Sequence, residues 1–254
     1  MISLVFASLT AEKITVDATS SKPISPFVYG VNFPDWKKLG VPSPLSRQGG
    51  NRMTAYNWET NASNAGSDWH HQNDGYLGES NEPGWTVKEH VLPALKNGAA
   101  ALVTVPTAGH VAADKKADGD VNKTPNYLSS RFLKGLPEKP GGKWASKPNT
   151  SDKFVYQDEF VAWTQKLRTS RGQQIWYALD NEPDLWGHTH ARIVPKPLGY
   201  GEFLANNIAF AKGIRKAAPD SLIFGPANYG WQGFRTFQDA SDAKGRDFIE
   251  FYLA

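Results

Sequence analysis

The 254-residue sequence contains no cysteine, so disulfides, thiolate metal sites and a cysteine nucleophile are excluded. The compartment stays open on that count alone, since a secreted chain need not carry disulfides. There is no apolar run long enough to span a bilayer; the apolar start "MISLVFASLTA" (1–11) is too short. A Lys/Arg-rich block is also missing. The 28 basic and 25 acidic residues are scattered and leave a net charge of +3, too little to imply a polyanionic partner. Neither nucleic acid nor a membrane is therefore an expected partner. No internal repeat or linker-bounded second domain is visible.

Tryptophan is abundant instead, with nine residues at 36, 58, 69, 85, 144, 163, 176, 186 and 231. Some must be core. Several, however, sit in Gly/Asn/Asp/Ser-rich segments that read as loops. There an indole face can stack on the C–H face of a sugar ring.

Hydrophobic patterning places the elements. "KITVDA" (13–18) alternates as a half-exposed strand. "FVYGVNF" (27–33) reads as a strand buried on both faces, and 43–51 as a second strand ending in Gly49-Gly50. Continuous apolar runs predict further strands over 99–106, 173–180 and 221–227. Helices are predicted over 86–97, 156–169, 200–217 and 247–254. Two long polar insertions, 51–85 and 107–152, follow strands, the side on which parallel barrels build active sites.

Strands alternating with helices predict a parallel α/β arrangement, a TIM-like (β/α)8 barrel. A length of 254 residues suits a whole barrel, but the fifth strand ends near Ala227. Each further βαβ step needs roughly 30 residues or more, so only about the first five βα units are expected.

The stretch "WYALDNEPDLW" (176–186) carries the chemistry. A buried strand ends in Asp180-Asn181-Glu182 and is stopped by Pro183, which biases Glu182 toward an extended conformation. Catalytic groups of parallel barrels sit at such strand ends. Asn181, beside a catalytic carboxyl, suits a sugar 2-hydroxyl, and Trp186 offers a stacking surface. Glu182 is thus the candidate general acid/base for glycosidic bond cleavage. A second Asn-Glu-Pro, "SNEPGW" (80–85), follows no apolar strand, so Glu82 reads as a loop or helix-start residue. His188 and His190 in "WGHTHARI" would share one face of a strand and offer a metal pair, but spacing fixes no third ligand. "GGNR" (49–52) lacks the phosphate-loop spacings and reads as close backbone approach.

Three stretches together, "YGVNFPDW" (29–36), "RQGGNRMTAYNWETNASNAGSDW" (47–69) and "LDNEPDLWGHTHARI" (179–193), resemble family 44 glycoside hydrolases, endo-acting β-1,4-glucanases that include xyloglucanases. The resemblance runs over nearly the whole chain from about residue 13. It implies a TIM-like barrel with a small β-sandwich that takes one strand from before the barrel. Expected divisions are a signal-peptide-like segment at 1–11, a sandwich strand within 12–26, and the barrel over 27–254. The resemblance further implies a retaining double displacement with Glu182 as acid/base. Its nucleophile is a Glu at the end of a seventh strand, which the chain does not reach. A retaining pair of carboxyls stands roughly 5–5.5 Å apart, so the chain alone is expected to be inactive. Arg47, Asn51, Asn57, Trp58 and Trp69 are implied as cleft-lining. The loop after the fifth strand adds Tyr229 and Trp231 to the substrate-binding candidates.

The expected partner is a β-1,4-glucan: cellulose, xyloglucan or mixed-linkage glucan. The expected location is outside the cell. No cofactor is required, and the resemblance leaves room for a structural calcium ion. Two other readings compete: a non-catalytic glucan-binding module that uses the same tryptophans, and a metal-dependent hydrolase built on His188 and His190.

Overall fold

The computed structural model describes residues 14–17 and 19–254. The leader-like segment 1–11 lies outside the described residues. So do residues 13 and 18 of the first expected strand. Residues 14–17 form no strand, and Ile14 and Val16 stand in solvent.

Five parallel strands make one sheet: β1 (Gly30–Asn32), β2 (Leu45–Gln48), β3 (Ala100–Val105), β4 (Ile175–Leu179) and β5 (Ile223–Phe224). Each pairs with the next in chain order. A doubly wound sheet would reverse its strand order at a switch point. Monotonic order is the singly wound path of a barrel wall. Three helices return the chain: α1 (Trp85–Lys96) after β2, α2 (Gln157–Gln165) after β3 and α3 (Tyr200–Ala217) after β4.

The continuous apolar runs of β3 and β4 have a direct cause: both faces are buried. Ala101, Val103 and Val105 of β3 face the helices, meeting Val87 and Val91 of α1, Phe160 of α2 and Ile214 of α3 in one cluster. The alternate residues Ala100 and Leu102 join Trp176, Ala178, Phe27 and Leu45 on the opposite face.

β1 departs from the expected strand over 27–33. Pro26–Val28 is a 3-10 turn, and Val28, Tyr29 and Phe33 are exposed. β1 has one neighbour, β2, and no strand among the described residues pairs with its outer edge. The two insertions are more ordered than their polar composition suggests. Residues 51–85 contain an antiparallel pair, Ser63–Asn64 with Asn73–Asp74. The segment after β3 builds a three-stranded sheet from His110–Ala112, Phe132–Leu136 and Phe154–Tyr156. There Arg131, only 2% exposed, is held by Asp114 and Asp118. Asp120 binds Arg192 through both oxygens and ties this insertion to the segment after β4. Both insertions leave from C-terminal strand ends, and so border the same end of the sheet. Among the described residues no helix is long and apolar enough to cross a membrane.

Candidate active site

The end of β4 turns sharply. Asp180 has φ 67° and Glu182 has φ 46°, both left-handed. Glu182 is therefore not extended, as its place before Pro183 suggests it should be; such backbone strain costs of order 1–3 kcal/mol per residue. Tertiary bonds hold the turn. Asn181 bridges in parallel to Ala227 beyond β5, and the Glu182 N–H donates to the Ala227 carbonyl at 2.9 Å. Asp180 accepts from the Thr54 hydroxyl at 2.7 Å, from the Asn181 N–H at 2.8 Å, and from the Thr107 N–H.

The Asn181 amide has a fixed orientation. Its Oδ1 accepts from Arg47 Nη2 at 2.7 Å and from the Gly50 N–H at 3.2 Å. Nδ2 is then free to donate to Glu182 Oε2, 3.2 Å away. Gly49 makes this possible: a Cβ there would collide with the Arg47 guanidinium. Gly50 has φ 102°, which favours glycine. The Gly-Gly pair thus serves close backbone approach.

The surroundings of Glu182 shift its titration upward. Burial pushes its carboxyl above the usual range, and the nearby Asp184 charge adds to this; Asn181 and Arg47 oppose it. Asp184 is buried and accepts from the Tyr229 N–H at 3.1 Å and from Gln238 Nε2 at 2.9 Å. Burial also pushes Asp180 up to about 6, against the pull of its three donors. Beside this cluster opens a cavity of about 860 Å³, lined by Gly50, Asn51, Arg52, Asp68, Trp69 and Tyr76 among others. A more apolar groove of about 740 Å³ lies in the insertion after β3, between His110, Tyr127, Phe132 and Phe154, and contains none of the predicted site residues.

The predicted residues divide. Glu182, Asn181 and Arg47 meet, and Asn51 and Trp69 line the cavity. Trp69, Tyr229 and Trp231 are 56%, 56% and 73% exposed. Three others are core. Trp58 is 1% exposed and stacks on Phe160 at 5.8 Å, so it offers no face to a sugar. Asn57, fully buried, donates to the Ala112 carbonyl and accepts from the Glu59 N–H. Trp186 is likewise 1% exposed; its Nε1–H donates to the Asn181 carbonyl at 3.0 Å and buttresses the turn. Trp58 is buried because the insertion after β2 folds back onto Phe160 and Trp163 of α2, whereas Trp186 packs with Ala55, Val121, Phe132 and Phe203. Glu82 is exposed, pairs with Lys88 at 2.9 Å and precedes α1. His188 and His190 lie on a helical turn (Trp186–Thr189) and its cap, not on a strand. His188 is exposed, while His190 is buried against the Asn51 carbonyl at 3.0 Å, so the rings do not share a face. Among the described residues no group of three or more His, Asp or Glu is arranged to hold a metal, so neither a catalytic nor a structural ion is assigned ligands.

The sequence profile of Glycoside hydrolase family 44 matches residues 62–254. The chain belongs to glycoside hydrolase family 44. It is 38% identical to beta-mannanase/endoglucanase A of Caldicellulosiruptor saccharolyticus, over 95% of this chain and 19% of that protein. Identity to endoglucanase A of Paenibacillus lautus is 36%, over 94% of this chain and 36% of the relative. A family 44 xyloglucanase from Paenibacillus polymyxa superposes with a TM-score of 0.82 at 36% identity, covering 91% of this chain and 48% of the other. A second structure of that xyloglucanase, with xyloglucan, gives 0.81. The chain therefore spans about half the length of these solved relatives, and less of the curated ones. The TIM-like α/β fold is that of the family 44 structures.

Within this family 44 chain, four residues that hold the turn or flank Glu182 were not legible as site residues: Thr54, Thr107, Asp180 and Asp184. Asp180 carried a signal, an acidic residue inside an apolar strand end. Asp184 is likewise near Glu182 in sequence. Thr54 and Thr107 carried none, because their role depends on where β2 and β3 end beside β4.

Proposed function

We propose that this chain is the N-terminal part of a secreted, retaining endo-β-1,4-glucanase in which Glu182 is the general acid/base. One observation carries the reading: a half-buried carboxyl at the C-terminal end of a barrel strand, bonded to an amide that Arg47 and Gly50 orient. A general acid works best with its pKa raised toward the operating pH, and burial with Asp184 acts in that direction. The second N–H of Asn181 Nδ2 suits a sugar hydroxyl. Trp69, Tyr229 and Trp231 are the exposed rings suited to sugar stacking; Asn51 lines the cavity with Trp69, and Arg47 holds Asn181.

Two carboxylates beside Glu182 are already engaged: Asp180 by Thr54, Thr107 and Asn181, and Asp184 by Tyr229 and Gln238. In this reading the nucleophile is a Glu on a seventh strand outside these residues, in keeping with relatives that extend well beyond the match. The small β-sandwich that draws a strand from 12–26, the export of the protein and the absence of a required cofactor belong to the same proposal. Substrate is a β-1,4-glucan; the xyloglucan in the Paenibacillus polymyxa structure supports a decorated chain as one candidate.

The test is Glu182→Gln in the full-length gene product. On polysaccharide, loss of the acid should cost about 10²–10⁴-fold. Aryl glycosides with very good leaving groups need little protonation, so their glycosylation step should suffer far less. Equal, small losses on both would remove Glu182 from the role. Glu82→Gln serves as control and should stay near the wild-type rate. The 254-residue chain alone should release no reducing ends; turnover would place the nucleophile within it.

A further inference from the structure

Asp180 is fully buried, and among the described residues no cation is bonded to it. A buried carboxylate without a paired cation is costly unless hydrogen bonds satisfy it. Here the donors come from three separate segments. Thr54 lies in the insertion after β2 and reaches Oδ1 at 2.7 Å. Thr107, just past the end of β3, gives its N–H to Oδ2. The third donor is the N–H of Asn181, the next residue, at 2.8 Å. One side chain thus joins the C-terminal ends of three adjacent strands at the point where β4 enters its left-handed turn.

The contacts of the neighbouring residues make this junction directional. Asn181 can donate to Glu182 only while its Oδ1 faces Arg47 and Gly50, both of which belong to β2 and the residues after it. The Asp180–Thr54 bond fixes the β4 turn against that same segment. Asp184, on the far side of Glu182, binds instead to the loop after β5. Asp180 therefore sets the β4 turn, with Asn181 and Glu182 on it, against the segment whose Arg47 and Gly50 orient the Asn181 amide.

We propose that Asp180 is a positioning residue for the glycosidase reaction: its carboxylate, held by Thr54 and Thr107, locks the turn that presents Asn181 and Glu182 to the cleft. The claim rests on the reading of Glu182 as acid/base, but it concerns a residue that touches no substrate. Asparagine at this position would keep an oxygen for Thr54 and Asn181 and would turn an N–H₂ donor toward the Thr107 N–H. Two donors then face each other, and the turn is released from β3.

The test uses the full-length gene product with Asp180→Asn, Thr54→Val and the double variant. Each is assayed on a β-1,4-gluco-oligosaccharide and on an aryl β-cello-oligosaccharide with a good leaving group. Asp180→Asn should lose about 10²-fold or more in kcat on the oligosaccharide, with KM little changed, because a misaimed acid fails in the transition state. The aryl substrate should lose much less. Thr54→Val should show a smaller loss of the same kind, and the double variant should lose no more than Asp180→Asn, since the pair acts as a unit. Thr54→Val also keeps the question answerable if Asp180→Asn does not fold. Equal losses on both substrates, a loss confined to KM, or wild-type rates in both variants would overturn the proposal. Should the wild-type protein hydrolyse no β-1,4-glucan, the functional reading fails by itself. Hydrogen exchange then decides the positioning claim: faster exchange of the Thr107 and Asn181 amides in Thr54→Val supports it, and unchanged protection overturns it.

Discussion

Trp58 stacks on Phe160 in the core, while Trp69 stands 56% exposed at the cavity, although one polar, aromatic segment carries both. Their alanine variants should separate cleanly. Trp58→Ala should destabilise by about 3–5 kcal/mol, the usual cost of emptying a buried aromatic site, read as a fall in melting temperature. Trp69→Ala should leave the melting temperature near wild type and weaken oligosaccharide binding, read by calorimetry. Glu59 gives a pH prediction. It is buried, and burial, followed by the Asp152 and Glu159 charges, pushes its carboxyl up to about 8, with Lys139 opposing. The folded state then holds this proton more tightly than the unfolded chain. Stability is fully present below the unfolded value of 4.5 and is lost as pH rises through about 8. Glu59→Gln should flatten the fall in melting temperature between those limits. An unchanged slope would mean that other groups set it.

At the scale of elements, β2 is the part whose end matters most. A Cβ on Gly49 would strike the Arg47 guanidinium, the far end of a long side chain, so the guanidinium and not the backbone would give way. Gly49→Ala should therefore leave the fold stable and cost activity, because Arg47 releases Asn181 Oδ1. A loss of about tenfold or more in kcat/KM with a nearly unchanged melting temperature is expected, as small misplacements of an aimed group are expensive. β3, β4 and α3 were legible in the sequence because burial on both faces, or on one helical stripe, leaves a continuous or periodic apolar signal. β1 was overread: "FVYGVNF" has the composition of a buried strand, yet Tyr29 and Phe33 face solvent. The sheet after β3 was unreadable, since Phe132–Leu136 carries Lys134 and Gly135, and its partners are three residues each. Around the site, Asn181 and Glu182 were legible from their strand. The left-handed backbone of Glu182 was not, because it is imposed by Asp180 and Ala227 rather than by Pro183. Trp58 and Trp186 misled for one reason: local polarity marks a loop but does not say whether the loop folds inward.

At the scale of the whole molecule, the sheet ends at β1 on one side and β5 on the other. A parallel sheet is normally covered on both faces, and an open edge carries unpaired N–H and C=O groups that template pairing with another chain. Both margins here also show apolar side chains: Val28 is 70% exposed and Tyr29 65% beside β1, and Leu222 is 52% exposed at β5. The 254-residue chain, expressed by itself, should consequently self-associate. Light scattering after size exclusion should show a mass that rises with concentration. Lysine at the margins should reduce this, because burying its charge in an edge-to-edge contact is unfavourable. Val28→Lys and Leu222→Lys each act on one margin, so each alone should lower the association and the pair should lower it further. If only one of them has an effect, only that margin is adhesive. A wild-type chain that stays monomeric at every concentration would show that the short strands, three residues in β1 and two in β5, present too little edge to pair.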